Sequence, residues 1–253
     1  NYFDAFLFLY FLIIFFSNFR FNELTSVWNT NDPSSYFFRL NSIDEEVVSE
    51  KIKNKQPIFV LMLHDALISI KILLRAFPSI KMFHMVRHPV DLIHSWYKKG
   101  YGRDFFENPR NATLTIKWKE NILPIHAAGW EKEYFELSAM DSIIHLIDRN
   151  IKRHEEVYES LSDKFRNHVM IIPFEGLIVE PQPYLEKVCD FLCTKETLFT
   201  PIAIQKERER DPNLLDKKVR LKKLDQIKKL SSKNAYYLLE SMIEKYESSN
   251  DVC

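Results

Sequence analysis

The spacing of apolar positions changes period several times along the 253 residues. Residues 57–63 (PIFVLML) form a short apolar run containing a β-branched pair, which predicts a buried strand. Residues 66–76 (ALISIKILLRA) switch to helical spacing. Residues 81–86 (KMFHMV) predict a second strand, a helix follows over 90–99, and 168–174 (HVMIIPF) predict a third strand. Residues 141–161, 180–192, 222–231 and 233–247 carry helical spacing. Strands that alternate with helices predict an α/β fold, a parallel sheet flanked by helices, within a single domain over 1–253. Residues 100–132 have weak periodicity and carry Tyr101, Arg103, Trp118 and Trp130. They predict a long irregular excursion, a common place for a substrate loop.

Residues 5–16 (AFLFLYFLIIFF) are continuously apolar. The run is shorter than the roughly 20 residues that span a bilayer, and it lacks the basic flank of a signal peptide. A buried core helix is the expectation, with a membrane anchor as the alternative. Cytoplasmic and membrane-anchored or Golgi-type locations both stay open.

Composition narrows the function classes. Hydrophobic residues make up 46% and charged residues 28%, enough to build a core and unlike a disordered chain. Lys plus Arg is 35 and Asp plus Glu is 35, so the net charge is zero, which argues against a dedicated nucleic-acid-binding domain. That zero hides an asymmetry. Residues 1–50 hold two basic and seven acidic side chains, whereas 206–229 hold ten basic and five acidic ones. Cys189 and Cys193 lie four apart in an apolar helical stretch without further ligands nearby, so core packing is expected in place of a metal site. The chain has only four glycines, the first at Gly100, so residues 1–99 contain no Gly-rich phosphate loop.

The segment 81–99 (KMFHMVRHPVDLIHSWYKK) carries the most chemistry. Arg87 follows the apolar strand. Pro89 holds His88 extended and suits the first helical turn, because its absent N–H would have no partner there. Asp91 suits the same turn electrostatically. A strand end, a cation and a helix N-terminus thus converge, a combination that binds anions. Ser95 lies two turns from His88 on the same side, within reach of an anion held by Arg87. The same spacing also fits a plain helix start with a solvated Arg and a packed Ser.

Arg87-His88-Pro89-Val90-Asp91 followed by Ser95-Trp96-Tyr97 resembles the signature of sulfotransferases that use 3'-phosphoadenosine 5'-phosphosulfate. The resemblance implies a P-loop NTPase-like sulfotransferase fold, with Arg87 and Ser95 binding the nucleotide's 3'-phosphate. His64 ends the preceding strand, 23 residues before Arg87, where one branch of the family places the base that deprotonates the acceptor. Met62 stands where that branch has Lys, and a hydrogen-bonded core histidine is the alternative for His64. Phe174, Glu175 and Leu177 resemble a later family motif that serves mainly as a fold marker, with Gly176 in place of its usual Asp. The basic stretches Lys206–Arg210 and Lys217–Lys223, within the basic segment 206–229, lie where many members carry a nucleotide-covering segment. Arg208 and Arg210 are its candidate phosphate contacts, with a solvated charge run as the alternative.

The resemblance covers about residues 57–192. The family's 5'-phosphosulfate loop has no counterpart before Gly100, and the sequence opens on Asn1. The expectation is a chain that starts downstream of that loop, with the first strand and loop missing. The implied activity is sulfuryl transfer from 3'-phosphoadenosine 5'-phosphosulfate to an acceptor hydroxyl, carbohydrate among the options. The product is adenosine 3',5'-bisphosphate, and neither metal nor nucleic acid is involved. The alternative is a non-catalytic nucleotide-binding module with a membrane or protein interaction role. A nucleotide kinase shares the architecture but not the Arg87–Ser95 pattern.

Overall fold

A computed structural model describes residues 66–101, 115–198, 200–210 and 216–250, together with Asn54. The strand expected over 57–63, His64 and the apolar run 5–16 lie outside the described residues. The chain divides into two compact units, Asn1–Ala76 and Phe77–Cys253. In the first unit, a 3-10 turn (Leu67–Ser69) runs into helix α1 (Ile70–Ala76), with Leu67, Ile70 and Leu74 buried at helical spacing.

The second unit is mostly helical around a small parallel sheet, so the chain is α/β. Strand β1 (Met82–Val86) leads into helix α2 (Pro89–Lys98), which ends at Gly100 with φ 79°. Only glycine adopts that left-handed conformation without strain. A hairpin follows, β2 (Thr115–Trp118) and β3 (Asn121–Pro124), and then helix α3 (Glu131–Glu136). The long helix α4 (Ala139–Glu159) and the short α5 (Asp163–Arg166) lead to strand β4 (Val169–Pro173). Five helices complete the described chain: α6 (Phe174–Val179), α7 (Pro181–Leu192), α8 (Thr200–Arg210), α9 (Lys217–Leu230) and α10 (Lys233–Asn250). None of the described helices is long and apolar enough to cross a membrane.

β1 pairs with β4 in parallel, from Met82 opposite Val169 to Val86 opposite Pro173. The return to a parallel partner needs a crossover, and the segment from α2 to α5 supplies it. The main core joins four helices. Val90 and Ile93 of α2 meet Met140, Ile143, Ile144 and Ile147 of α4, Ile227 of α9, and Ala235, Leu239 and Met242 of α10. The intervals of three and four residues put each set on one helix face. Each large aliphatic side chain buried there contributes about 1.5–3 kcal/mol from area removed from water.

The described part of 100–132 corrects the irregular excursion expected there. Lys119 turns the β2–β3 hairpin with φ 52°. Leu123, Ala127, Trp130, Tyr134 and Leu146 form a second core cluster, with Trp96, Tyr101 and Trp118 packed against it. Trp130 is 5% exposed and donates its Nε1–H to the His126 carbonyl at 2.7 Å. Aromatic residues with weak periodicity here build a satellite core. The cysteine expectation also needs correction. Cys189 is half-buried, whereas Cys193 is exposed and ends α7 in the left-handed region at φ 53°.

Candidate anion site at the end of strand β1

The turn from β1 to α2 forms as the residues dictate. His88 is extended (φ −55°, ψ 127°), and Pro89 occupies the first turn. The His88 side chain caps the helix, its Nδ1 accepting from the Val90 N–H at 3.2 Å. An accepting Nδ1 puts the neutral ring's proton on Nε2. Burial first, and then the charge of Arg220, push the His88 pKa down to about 4. The ring is therefore neutral at pH 7. Its 3.9 Å approach to the Glu247 carboxylate is too long for a hydrogen bond and is not an ion pair.

Two residues of α6 grip this turn. The Phe174 ring lies 5.1 Å from the Arg87 guanidinium carbon. Stacking engages the face of a guanidinium, while its N–H donors lie in its plane. The next residue, Glu175, accepts the His88 backbone N–H at 3.0 Å through Oε1. Its Oε2 accepts from the Tyr246 hydroxyl at 2.6 Å. The Tyr246 ring meets the His88 ring edge-on, with centroids 5.2 Å apart.

Asp91 is 2% exposed and held by two cations of α9, Arg220 Nε at 2.9 Å and Lys223 Nζ at 2.6 Å. Burial would raise its pKa, but the hydrogen bond from Lys223 and the charges of both cations outweigh it and lower the pKa. His94 and Gln226 bridge the same two helices at 2.9 Å. A lone carboxylate in the first turn of α2 would repel an anion. Arg220 and Lys223 offset the Asp91 charge, and with Arg87 they balance the three carboxylates around this turn, Asp91, Glu175 and Glu247.

The structure refines how the corner could hold an anion. The His88 N–H is taken by Glu175, the Val90 N–H by His88 itself, and Pro89 has none. The first backbone donors of the helix start are therefore engaged within the protein. Arg87 and Ser95 are both half-buried, Arg87 at the strand end and Ser95 two turns into α2.

The other predicted residues fall elsewhere. Arg208 donates Nε to the Ile178 carbonyl at 2.7 Å and Nη2 to the Val179 carbonyl at 2.8 Å, so it caps the C-terminal end of α6. Arg210 is the last residue of α8. His64 lies outside the described residues.

By local pattern Phe174 and Glu175 read mainly as a fold marker, and no local pattern points to Tyr246, Arg220 or Lys223 individually. The strand register is the signal that finds the first two. Continuing the β1–β4 pairing one and two residues past Val86–Pro173 sets Arg87 opposite Phe174 and His88 opposite Glu175. Comparison with protein-family models, with curated proteins and with solved structures gave no match.

Proposed function

We propose that this chain is a sulfotransferase domain of P-loop-like fold that takes 3'-phosphoadenosine 5'-phosphosulfate. The observation that carries the reading is Arg87 at the C-terminal end of a parallel strand, its guanidinium over the Phe174 ring and one residue, His88, ahead of a Pro-started helix bearing Ser95. Arg87 and Ser95 take the 3'-phosphate through charge-assisted hydrogen bonds.

An acceptor hydroxyl oxygen attacks sulfur in line. The new O–S bond forms as the bond from sulfur to the bridging phosphate oxygen breaks, and adenosine 3',5'-bisphosphate leaves. The acceptor proton passes to a base, the role proposed for His64. Catalysis of this kind is mostly positioning and stabilisation of spreading negative charge, so fixed cations matter more than covalent chemistry.

The test is transfer of labelled sulfuryl from the donor nucleotide to hydroxyl acceptors, carbohydrate, tyrosine peptide, lipid and small alcohol. Transfer that falls at least about ten-fold in Arg87→Ala supports the reading. A second reading, a non-catalytic nucleotide-binding module, draws on the absence of any glycine before Gly100 and on the engagement of Arg208 with backbone carbonyls. Binding of adenosine 3',5'-bisphosphate without transfer to any acceptor favours this module.

A further inference from the structure

We propose that Glu175, braced by Tyr246, is the positioning residue of the anion site, fixing where Arg87 presents its guanidinium. The inference rests on the nucleotide reading above and adds a residue role to it.

Glu175 is 7% exposed, and both of its carboxylate oxygens are engaged. A buried carboxylate is costly unless its lone pairs are satisfied, and an apolar side chain would fill the space without that cost. The acid instead does something that an apolar residue cannot. It accepts the N–H of the peptide that links Arg87 to His88, and a charge-assisted bond of this kind is short and directional. The orientation of that peptide sets the direction in which the Arg87 side chain leaves the strand.

Phe174, one residue earlier, holds the guanidinium itself. Two adjacent residues thus grip two adjacent residues, Phe174 the Arg87 side chain and Glu175 the peptide behind it. Tyr246 comes from the last described helix, 71 residues on from Glu175, and its hydroxyl fixes the other oxygen. A side chain held on both sides in this way loses the freedom to swing and arrives at the ligand preorganised. Glu175 need not touch the nucleotide to do this.

The experiment compares two ligands on the full chain by isothermal titration. Adenosine 3',5'-bisphosphate carries the 3'-phosphate, and adenosine 5'-monophosphate lacks it. In the wild type the bisphosphate binds more tightly, and the ratio of the two dissociation constants measures the grip on the 3'-phosphate. Glu175→Ala and Tyr246→Phe each shrink that ratio about ten-fold while leaving the monophosphate affinity within about two-fold. Glu175→Gln, whose carboxamide oxygen still accepts from His88, recovers most of the ratio. General loosening of the fold would weaken both ligands alike and would not be rescued selectively by Gln.

A wild type that does not discriminate between the ligands overturns the nucleotide reading and this role with it. A wild type that discriminates, with folded Tyr246→Phe and Glu175→Gln variants present and no variant changing the ratio, overturns the positioning role alone. Equal losses for both ligands also overturn it.

Discussion

Glu175 accepts the backbone N–H of His88 at the same 87-residue offset that pairs the strand residues Val86 and Pro173. The parallel ladder therefore does not stop where the sheet ends. It continues as a side-chain contact into the turn that carries Arg87, so the geometry of the candidate site is an extension of strand register.

The clasp of Asp91 by α9 predicts unequal costs for removing its partners. Arg220→Ala or Lys223→Ala alone leaves Asp91 with one cation. The double variant leaves a buried carboxylate with neither, a loss of about 3 kcal/mol or more. Urea unfolding of the two singles and the double should show the double exceeding the sum of the singles. Strict additivity would mean that the two cations act independently of the shared carboxylate.

Acid should destabilise the fold in a defined window. Burial first, and then the neighbouring His154, push the His84 pKa down to about 4, and His88 is pushed down to about 4 as well. Both lie below the ordinary value of 6.5, so the unfolded chain binds more protons between pH 6.5 and about 4. Stability is fully retained above pH 6.5 and falls as the pH drops through this window, with a slope of up to about 1.4 kcal/mol per pH unit for each histidine. Asp91, its pKa held below the ordinary 3.8, adds a further loss only at lower pH. His88→Asn preserves a capping side chain and should flatten the slope. Denaturant midpoints between pH 4 and 8 read the effect, and an unchanged slope would contradict a neutral buried His88.

Gly176 stands where the resembled motif carries Asp, and the packing explains the small residue. A Cβ at this position would collide with the Tyr184 ring and hydroxyl. In Gly176→Ala the overpacking against Tyr184, about 1–3 kcal/mol, opposes the roughly 1 kcal/mol that Ala gains over Gly inside a helix, and Tyr184→Leu should unmask that gain. A double-mutant cycle read by thermal melting checks the coupling.

Trp130 separates two views of the region after α2. As a core residue hydrogen-bonded to His126, its replacement by Ala should cost about 3–5 kcal/mol. A substitution that instead left stability intact and altered acceptor choice would return this aromatic to a substrate loop.

Much of the fold is legible in the sequence where a local rule decides the outcome. Pro89 behind an extended His88 starts α2, short apolar runs mark β1 and β4, and the intervals of three and four residues place α4, α9 and α10. The site is legible only in part. Arg87 and Ser95 stand out by their spacing in the chain, but their supports come from far along it. Glu175 is 87 residues from His88, Arg220 is 129 residues from Asp91, and Tyr246 is 71 residues from Glu175. Such pairs depend on strand register and helix packing, which no local period reveals. Arg208 shows the converse. A basic run suggests an anion contact, whereas the fold turns this guanidinium onto the carbonyl ends of α6. Trp130 belongs to a core cluster that a hairpin and a short helix divide among segments of weak local periodicity, a pattern that a loop shares.

The central claim is that Arg87 anchors a 3'-phosphate, and calorimetric titration of the full chain with adenosine 3',5'-bisphosphate tests it most directly. The account predicts saturable one-to-one binding by the wild type, weakened at least about ten-fold in Arg87→Ala, as expected for loss of a charge-assisted contact to phosphate. Equal binding by the wild type and Arg87→Ala, or no binding by the folded wild type, would contradict it.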